Sequence, residues 1–407
     1  MRLALALLSG LLLTACGDDG DSGSSDPGPP PGPLDRYASD DPAFHECDTA
    51  ADCDEGDLCL VGVCLSAGDL PGGDASRGGE RRDENGVNVG IDQGIPPVAS
   101  CWKRPDVVPD EPAEVELRGR VDALGSGGNP QGLCVTVYER DALLRHWRED
   151  SRCMDVADPL PRSACFGTSA CDCAGLAGPD LTRCEADAGP WIGDTIVRGS
   201  DGRFEIRAVP TNVPLVVKVT GERDGAGEPR SWIDTYVWDT VARTDRLDTD
   251  DNGEVSFRAY ASVVSKVDWV TFPPVLGLTR GVTPGNGVVA GELLDCGSDS
   301  RDPEPIIGAV LGSIRPAEVL GFHNGDPEAA IGFEIELKAT ANLGIYGALN
   351  IPAGANRLAA VARIFGELEL VAISDFFMPP GSAVLLNFQG RSLQRGETAD
   401  AAGAADE

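Results

Sequence analysis

The chain has few basic residues for its length. Its 407 residues include 33 lysines and arginines against 66 aspartates and glutamates, giving a formal net charge of -33. A surface of that sign repels polyanions, so we exclude nucleic acid and anionic lipid surfaces as partners over most of the protein. The acidity is typical of a well-solvated surface, and it also offers ligands for divalent cations. Hydrophobic residues make up 42% of the chain, which excludes a wholly disordered protein.

Histidine is also scarce, and common catalytic motifs are missing. The histidines are His45, His146 and His323, and no H-E-x-x-H, G-x-S-x-G or Walker sequence occurs. The spacing from His146 to Glu149 has the form of two zinc ligands, with His323 as a conceivable third. It is common by chance and lies in a cysteine-rich stretch, so we predict no zinc and no catalytic residue. One enzymatic alternative stays open: a carbohydrate- or peptide-processing enzyme with paired carboxylates.

The N-terminus lacks the roughly 20 apolar residues that a membrane span requires. It has a basic start at Met1-Arg2, an apolar run from Leu3 to Leu13, and small residues before Cys16. This pattern resembles a bacterial lipoprotein signal peptide, here residues 1–15. The resemblance implies cleavage before Cys16, a lipid on its sulfur, acylation of the new amino terminus by a chain such as palmitate, and attachment to membrane lipid. Gly17 implies the outer membrane, facing the periplasm or the cell surface.

A tether and a cysteine-rich module follow. Residues 16–44 are rich in Gly, Ser, Asp and Pro, which predicts a disordered tether. Residues 45–66 have too few apolar side chains for a core, so we predict a disulfide-rich knot made by Cys47, Cys53, Cys59 and Cys64. The run resembles short disulfide knots of myxobacterial surface proteins, and a zinc site made by the same cysteines is the alternative. Residues 67–112 read as a linker.

Subtracting Cys16 from the 13 cysteines leaves an even number, as expected if the rest pair in an oxidising compartment. Spacing does not define connectivity, so the partners stay open. Besides the four cysteines of the knot, the disulfide candidates are Cys101, Cys134, Cys153, Cys165, Cys171, Cys173, Cys184 and Cys296.

From residue 113 the apolar pattern has a period of two, which predicts strands with one buried face. In 114–121 the valines and leucine share one face, while Glu116, Arg118 and Arg120 share the other. In 203–208 the outward residues are Arg203, Glu205 and Arg207. We predict one β-sandwich in 113–272, with a cysteine-rich insertion at about 140–200. We predict a second in 285–390 and a disordered acidic tail in 391–407.

The two predicted sandwiches share a sequence plan. Each has a polar turn ending in Gly (Gly202, Gly344), then a short strand, a proline turn (Pro210, Pro352) and an apolar strand. Glycine supplies the positive φ that such a turn often needs, and proline removes a donor where the ladder stops.

Three segments of the first predicted sandwich have counterparts, in the same order, in the second. The first copy has GRV at 119–121, CVTVY at 134–138 and SDGRFEIRAVP at 200–210; the second has GELLDC at 291–296, IIGAVLG at 306–312 and ATANLGIYGALNIPAGAN at 339–356. This order of segments resembles the transthyretin-like regulatory domain of metallocarboxypeptidases. The resemblance implies a mainly β fold of two tandem antiparallel Greek-key β-sandwiches, preceded by the disulfide-rich module and the tether. An immunoglobulin-like sandwich is the rival interpretation.

Two stretches are candidate ligand sites. The first is a candidate calcium loop, with side-chain oxygens at alternate positions around a glycine, supplied by Asp248, Asp250, Asn252 and Glu254. A polar hairpin turn is the simpler interpretation of the same residues.

The second is a candidate ligand face made of aromatic residues that alternate along one predicted strand, Trp232, Tyr236 and Trp238. If this face were exposed, the rings would stack on a sugar or a peptide. Buried aromatic residues are commoner, so we favour the core.

Together these patterns predict a membrane-anchored surface lipoprotein with non-catalytic β modules for binding, adhesion or scaffolding. Its expected partners are membrane lipid through Cys16 and a surface glycan or an envelope protein, with Ca²⁺ as a candidate cofactor. The alternatives are the carboxylate enzyme and a subunit of an envelope complex.

Overall fold

The structure is a computed structural model, and it describes 22 stretches of the chain. The described residues are 46–48, 50–55, 57–60, 62–66, 80–82, 88–91, 106–108, 113–124, 128–149, 178–179, 190–221, 231–244, 247–249, 253, 255–294, 305–323, 333–334, 337, 339–341, 343–364, 367–389 and 393–395.

Strands dominate these residues, which confirms the mainly β class. The strands are β1 (Asp57–Leu60), β2 (Val63–Ser66), β3 (Glu80–Arg82), β4 (Asn88–Ile91), β5 (Asp106–Val108), β6 (Glu114–Leu124), β7 (Cys134–Glu139), β8 (Trp191–Ile196), β9 (Arg203–Pro210), β10 (Pro214–Thr220), β11 (Trp232–Ile233), β12 (Thr235–Val241), β13 (Asp248–Thr249), β14 (Val255–Ser265), β15 (Asn286–Leu294), β16 (Val310–Ser313), β17 (Val319–His323), β18 (Phe333–Glu334), β19 (Ile345–Pro352), β20 (Gly354–Ile364), β21 (Glu367–Met378), β22 (Ala383–Leu386), β23 (Phe388–Gln389) and β24 (Leu393–Arg395). The described helices are α1 (Arg140–Glu149), α2 (Lys266–Val275) and one 3-10 turn, Ala50–Asp52. None of the described helices is long and apolar enough to cross a membrane.

Three large sheets form the body. The first outer sheet has the order β11-β14-β6-β9, with β13 also paired to β14. The central sheet has the order β18-β17-β19-β15-β22-β12-β10-β7-β8, with β23 beside β15. The second outer sheet has the order β16-β20-β21, and small two-stranded sheets pair β1 with β2, β3 with β4 and β5 with β24.

The same arrangement of strands occurs twice. In the first unit, β14, β6 and β9 form one sheet, and β7, β10 and β12 belong to the other. In the second unit, β22, β15 and β19 correspond to the first of these sheets, and β16, β20 and β21 correspond to the other. Both units contain the same parallel pair, β6 with β14 in the first and β15 with β22 in the second. The equivalent glycines occupy equivalent register positions, Gly119 opposite Phe204 and Gly291 opposite Tyr346.

The turn glycines of the repeat have the predicted conformation. Gly202 has φ 78° and Gly344 has φ 63°. The carbonyl of Gly202 accepts from the backbone N–H of Val121 at 2.9 Å, and that of Gly344 accepts from Leu293, also at 2.9 Å. A Cβ at either glycine would meet the carbonyl oxygen of the same partner residue, so both positions need glycine for space as well as for φ.

The strands that follow these glycines do not form local hairpins. β9 belongs to the first outer sheet and β10 to the central sheet, while β19 belongs to the central sheet and β20 to the second outer sheet. The turns at Pro210 and Pro352 therefore carry the chain from one layer to the next, which is how a sandwich closes.

The two units share their middle layer instead of standing apart. Residues 235–238 of β12 pair in parallel with residues 383–386 of β22, so that the second sheet of the first unit continues into the first sheet of the second unit. Most neighbouring strands pair antiparallel, as predicted, and the parallel strand pairs were not predicted. The sequence did not indicate these parallel pairs, because strands that are adjacent in the sheet are far apart in the sequence.

Both faces of this middle layer are buried. Val217, Val237 and Leu385 pack in the first core, against the first outer sheet. Val216, Trp238 and Leu386 pack in the second core, against the second outer sheet and α1. Every residue of β10 is buried, which explains why its sequence, PLVVKVT, is nearly continuously apolar.

The cysteine-rich module is a hairpin held by two disulfides, Cys47–Cys59 and Cys53–Cys64. This confirms the predicted disulfides, and the cluster formed by the sulfurs of Cys47, Cys53 and Cys64 is therefore not available to zinc. Cys134 is also disulfide-bonded. Cys16, the lipidation candidate, and Cys101, Cys153, Cys165, Cys171, Cys173, Cys184 and Cys296 lie outside the described residues.

The knot packs on the outer face of the second outer sheet. Val63 and Leu65 of β2 form a small buried cluster with Val310 of β16 and with Ala359 and Val361 of β20. A Cβ at Gly312 would lie 2.6 Å from Leu65 Cδ2, so glycine allows the close approach. The layers therefore follow the order knot, second outer sheet, central sheet, first outer sheet.

We predict that Gly344→Ala destabilises the protein by about 2–4 kcal/mol, because alanine is strained at positive φ and its methyl group also overlaps the Leu293 carbonyl. Gly132→Ala is the matched control: Gly132 has φ 88° but nothing within 4 Å of a built Cβ. It should cost about 1 kcal/mol. Urea unfolding of the two variants measures the difference, and equal losses would show that the overlap is unimportant.

Candidate functional site

The predicted aromatic ligand face does not lie on one surface. Trp232 is half-buried in β11 of the first outer sheet, where a Cβ at Gly128 would overlap its ring. Tyr236 and Trp238 lie in β12 of the central sheet and are 1% and 2% exposed. The ring of Trp238 lies 5.6 Å from that of Trp147 on α1, inside the second core. Neither buried ring is accessible to a ligand in this conformation.

The calcium candidate is described only in part. Asp248 is exposed, and its Oδ2 lies 2.8 Å from Arg258 Nε. Gly253 has φ 80°, as a turn requires. Asp250, Asn252 and Glu254 lie outside the described residues, so calcium binding stays a prediction.

The histidines occupy separate elements. His146 lies on α1, His323 is buried in β17, and His45 lies outside the described residues. The side chain of Glu149 is also outside the described part, so the zinc alternative stays untested.

A buried polar cluster joins three elements at the second core. Arg140, the first residue of α1, places Nη1 3.1 Å from Asp239 Oδ1 and Nη2 3.0 Å from Asp141 Oδ1. Ser374 of β21 donates its hydroxyl to Asp239 Oδ2 at 2.5 Å. Burial raises the pKa of the Asp239 carboxyl, while the Arg140 guanidinium and the Ser374 hydroxyl act in the opposite direction. We call Arg140, Asp239 and Ser374 the junction cluster.

The junction cluster does not have the geometry of a nucleophilic site. A catalytic serine needs a base that accepts its proton, whereas the Ser374 hydroxyl contacts the Asp239 carboxylate, which is already held by an arginine, and the backbone carbonyl of Asp375. No histidine in the described part of the chain hydrogen-bonds to Ser374 or Asp239. Asp239 also has φ 58°, an uncommon backbone conformation for a residue other than glycine. The cluster fastens α1 and the second outer sheet to the central sheet.

A second buried ion pair lies across two strands of the second outer sheet. Arg357 of β20 and Asp375 of β21 are register partners. Nε lies 2.6 Å from Oδ1 and NH2 lies 3.0 Å from Oδ2, and both side chains are 2% exposed. The two parallel contacts make the pair bidentate, which fixes the register of β20 against β21.

Glu292 in β15 is the second described carboxyl whose pKa is raised. It is 8% exposed, and burial raises its pKa to about 7. Its neighbour Leu293 packs in the second core, so strand alternation points Glu292 to the opposite face of the central sheet. Asp239 bonds to β21 on the side of the second core. The two carboxyls therefore lie on opposite faces and do not form an acid–base pair.

The outward face of the first outer sheet is polar. Glu116, Arg118 and Arg120 lie on this face, as predicted, and the side chain of Arg120 is 58% exposed. β14 adds Arg258 and Tyr260 to the same face, because they are register partners of Arg118 and Arg120. The parallel pairing of β14 with β6 brings these residues together, which the sequence alone did not indicate.

Comparison with known proteins does not define a family. No protein-family model matches the chain, and no curated protein matches it. The shaft pilin SpaA from Lactobacillus rhamnosus GG (D295N mutant) is 12% identical with a TM-score of 0.18, covering 69% of this chain and 100% of the pilin. GBS52, a minor pilin of Streptococcus agalactiae, is 12% identical with a TM-score of 0.19, covering 70% and 98%. A leucine-rich repeat protein from Bacteroides thetaiotaomicron is 9% identical with a TM-score of 0.17, covering 69% and 27%.

These TM-scores are too low to support a functional argument. The resemblances to myxobacterial lipoproteins and to transthyretin-like regulatory domains stay predictions.

We predict that Arg357→Met destabilises the protein by about 3–5 kcal/mol, because it leaves the Asp375 carboxylate buried without its bidentate partner. The double variant Arg357→Met, Asp375→Leu should recover most of this loss, since no charge is then buried. Arg120→Met, which breaks the exposed pair with Asp122, is the control and should cost less than about 1 kcal/mol. A denaturant midpoint for Arg357→Met equal to that of the unmutated protein would contradict the prediction.

We predict that Glu292→Gln removes a pH dependence of stability. The folded pKa of about 7 exceeds the ordinary value of 4.5, so the fold favours the protonated form. Its contribution is full below about pH 4.5 and is lost as the pH rises through 7. At pH 8 the variant should therefore be more stable than the unmutated protein by up to about 3 kcal/mol, and at pH 4.5 the two should be similar.

Urea unfolding between pH 4.5 and 8.5 measures this difference, with Glu114→Gln as an exposed control. A constant difference across the pH range would refute the assignment to Glu292.

Proposed function

We propose that the chain is a membrane-tethered surface lipoprotein whose β body is a non-catalytic module for binding or scaffolding. The tether precedes the knot in the sequence, and the knot packs on the outer face of the second outer sheet. The first outer sheet lies at the opposite end of the layers. The packing of the knot at one end of the layers and the polar sheet face at the other end are the observations that carry the proposal.

The internal polar groups support the non-catalytic part of the proposal. Arg140, Asp239 and Ser374 bond to one another across layers, and Arg357 bonds to Asp375 within a sheet. These contacts fix the relative positions of strands, which is a structural role. The enzymatic alternative needs two carboxyls in one site, and the described carboxyls with raised pKa lie on opposite faces of the central sheet.

The knot adds a mechanical reason for the same proposal. Its two disulfides close loops near the point where the tether would enter, and its valine and leucine side chains pack into the body. Tension on the tether would therefore reach the body through covalent links and a buried contact. A protein held at a surface needs such a connection, whereas a free enzyme does not.

We predict that Cys16→Ser abolishes membrane attachment, because the sulfur is the site of the proposed thioether. The measurement is expression of the full chain in a Gram-negative host with labelled palmitate, followed by membrane fractionation. The unmutated chain should carry label in the membrane fraction, and the variant should carry none.

Gly17→Asp is the matched control, since it keeps the cysteine and should keep the label while altering the target membrane. An unlabelled, soluble unmutated protein would overturn the lipoprotein proposal. Capture of stable envelope proteins from detergent extracts would instead favour the alternative of a subunit in an envelope complex.

A further inference from the structure

The most exposed large apolar side chains of the described residues lie on one side of α2. Val267 and Val270 are 64% and 62% exposed, and no other large hydrophobic residue in the described part exceeds 42%. They are three residues apart, so they project from the same side of the helix, and the exposed residues Thr271 and Pro274 continue that side. We call Val267, Val270, Thr271 and Pro274 the α2 stripe. The stripe carries no charge.

The stripe reverses the usual arrangement of a surface helix, which turns its apolar side to the core and its charged side to water. Asp268, the acidic residue of α2, is only 5% exposed and serves as a cap. Its backbone N–H donates to Ser265 Oγ at 3.0 Å, and the Ser265 hydroxyl donates to its Oδ2 at 2.6 Å. Trp269 and Phe272 are half-buried beside the stripe. The helix therefore presents apolar groups to solvent and keeps its carboxylate inside.

The sequence around α2 contains few acids. Residues 255–291 include one acidic residue, the buried Asp268, although acids make up 66 of the 407 residues of the chain. Arg280, on the turn that follows α2, is exposed and basic. Moving an ionised carboxylate out of water is costly. The lack of exposed acids in this segment removes that cost from a contact with an apolar phase.

The stripe is too small to hold a second copy of the chain. α2 has 10 residues and is therefore about 15 Å long, whereas a stable interface buries about 800 Å² on each partner. A lipid surface, by contrast, needs no matching shape. A weak insertion is enough for a protein that an anchor already holds at the membrane, because the anchor raises the effective concentration of the surface.

We propose that the α2 stripe inserts into a zwitterionic phospholipid membrane and holds the body against the surface from which its tether extends. This proposal rests on the function proposed above and adds a second membrane contact to that of Cys16. Val267 and Val270 enter the boundary of the acyl chains, and Trp269 at the side of the stripe lies at the level of the headgroups, which indole rings favour.

The predicted tether is long enough for both contacts. The knot, the second outer sheet, the central sheet and the first outer sheet follow one another at spacings of about 10 Å, so about 30 Å separates the knot from the first outer sheet. β14 of that sheet leads directly into α2. Residues 16–44 span about 30 Å on average as a flexible chain. The anchor and the α2 stripe can therefore reach the same membrane.

The first test reconstitutes the lipidated full chain into phosphatidylcholine vesicles whose acyl chains carry bromine, which quenches nearby indole rings. Tryptophan emission should be quenched, and Trp269→Phe should remove the quenched component. The double variant Val267→Gln, Val270→Gln should also remove it, because the membrane interior does not solvate the amide groups. Val255→Gln is the matched control, since Val255 is 42% exposed at the opposite end of β14. It should leave quenching unchanged.

The second test separates the stripe from the anchor. It measures flotation of the mature chain, residues 16–407 with Cys16→Ser, with phosphatidylcholine vesicles at high lipid concentration. The double variant should bind about tenfold more weakly or worse, since each valine loses its apolar burial. Phosphatidylglycerol vesicles should bind the chain less well, because the net charge of -33 opposes them. Thermal unfolding of every variant shows whether the body remains folded.

Quenching that is lost in the double variant and kept in Val255→Gln supports the proposal. No quenching of Trp269, or an equal loss in Val255→Gln, overturns it. Self-association in detergent that the double variant abolishes would assign the stripe to a second copy and overturn the lipid assignment, as would equal or stronger binding to phosphatidylglycerol. The anchor fails separately: a chain without lipid at Cys16 whose flotation still depends on Val267 and Val270 refutes the lipoprotein and leaves the stripe intact.

Discussion

The pairing of β22 with β12 fixes the relation between the two units. Residues 235–238 hydrogen-bond in parallel with residues 383–386, so the last strands of the second unit complete the sheet of the first. The side chains of this seam alternate between two cores, with Val237 and Leu385 on one side and Trp238 and Leu386 on the other. One unit cannot rotate against the other without exposing apolar surface on both faces of the sheet.

The buried interior of the protein requires its polar groups to be paired. The junction cluster satisfies this requirement where α1, β12 and β21 meet, and Arg357 with Asp375 satisfies it between β20 and β21. The polar chemistry of the interior is therefore used for positioning.

The sequence predicted the parts of the fold that depend on local interactions. Alternating residues in β6 and β9 identified strands with one buried face, and the repeated glycines predicted positive φ at Gly202 and Gly344. The cysteine spacing and the lack of apolar residues predicted the disulfides of the knot. By contrast, the aromatic residues of β12 alternate in the same way whether their face meets solvent or a second layer. Periodicity shows which residues share a face but not what covers that face.

The sequence by itself determined the strands, the turn glycines, the disulfide-bonded module and the acidic surface, because each depends on residues close together in the chain or on composition. The tertiary structure alone decided that the two units share a sheet, that Tyr236 and Trp238 are buried, and that Arg258 and Tyr260 stand beside Arg118 and Arg120. These features arise from pairing between strands separated by more than a hundred residues. Such pairing is selected by the packing of whole layers, and no local pattern encodes it.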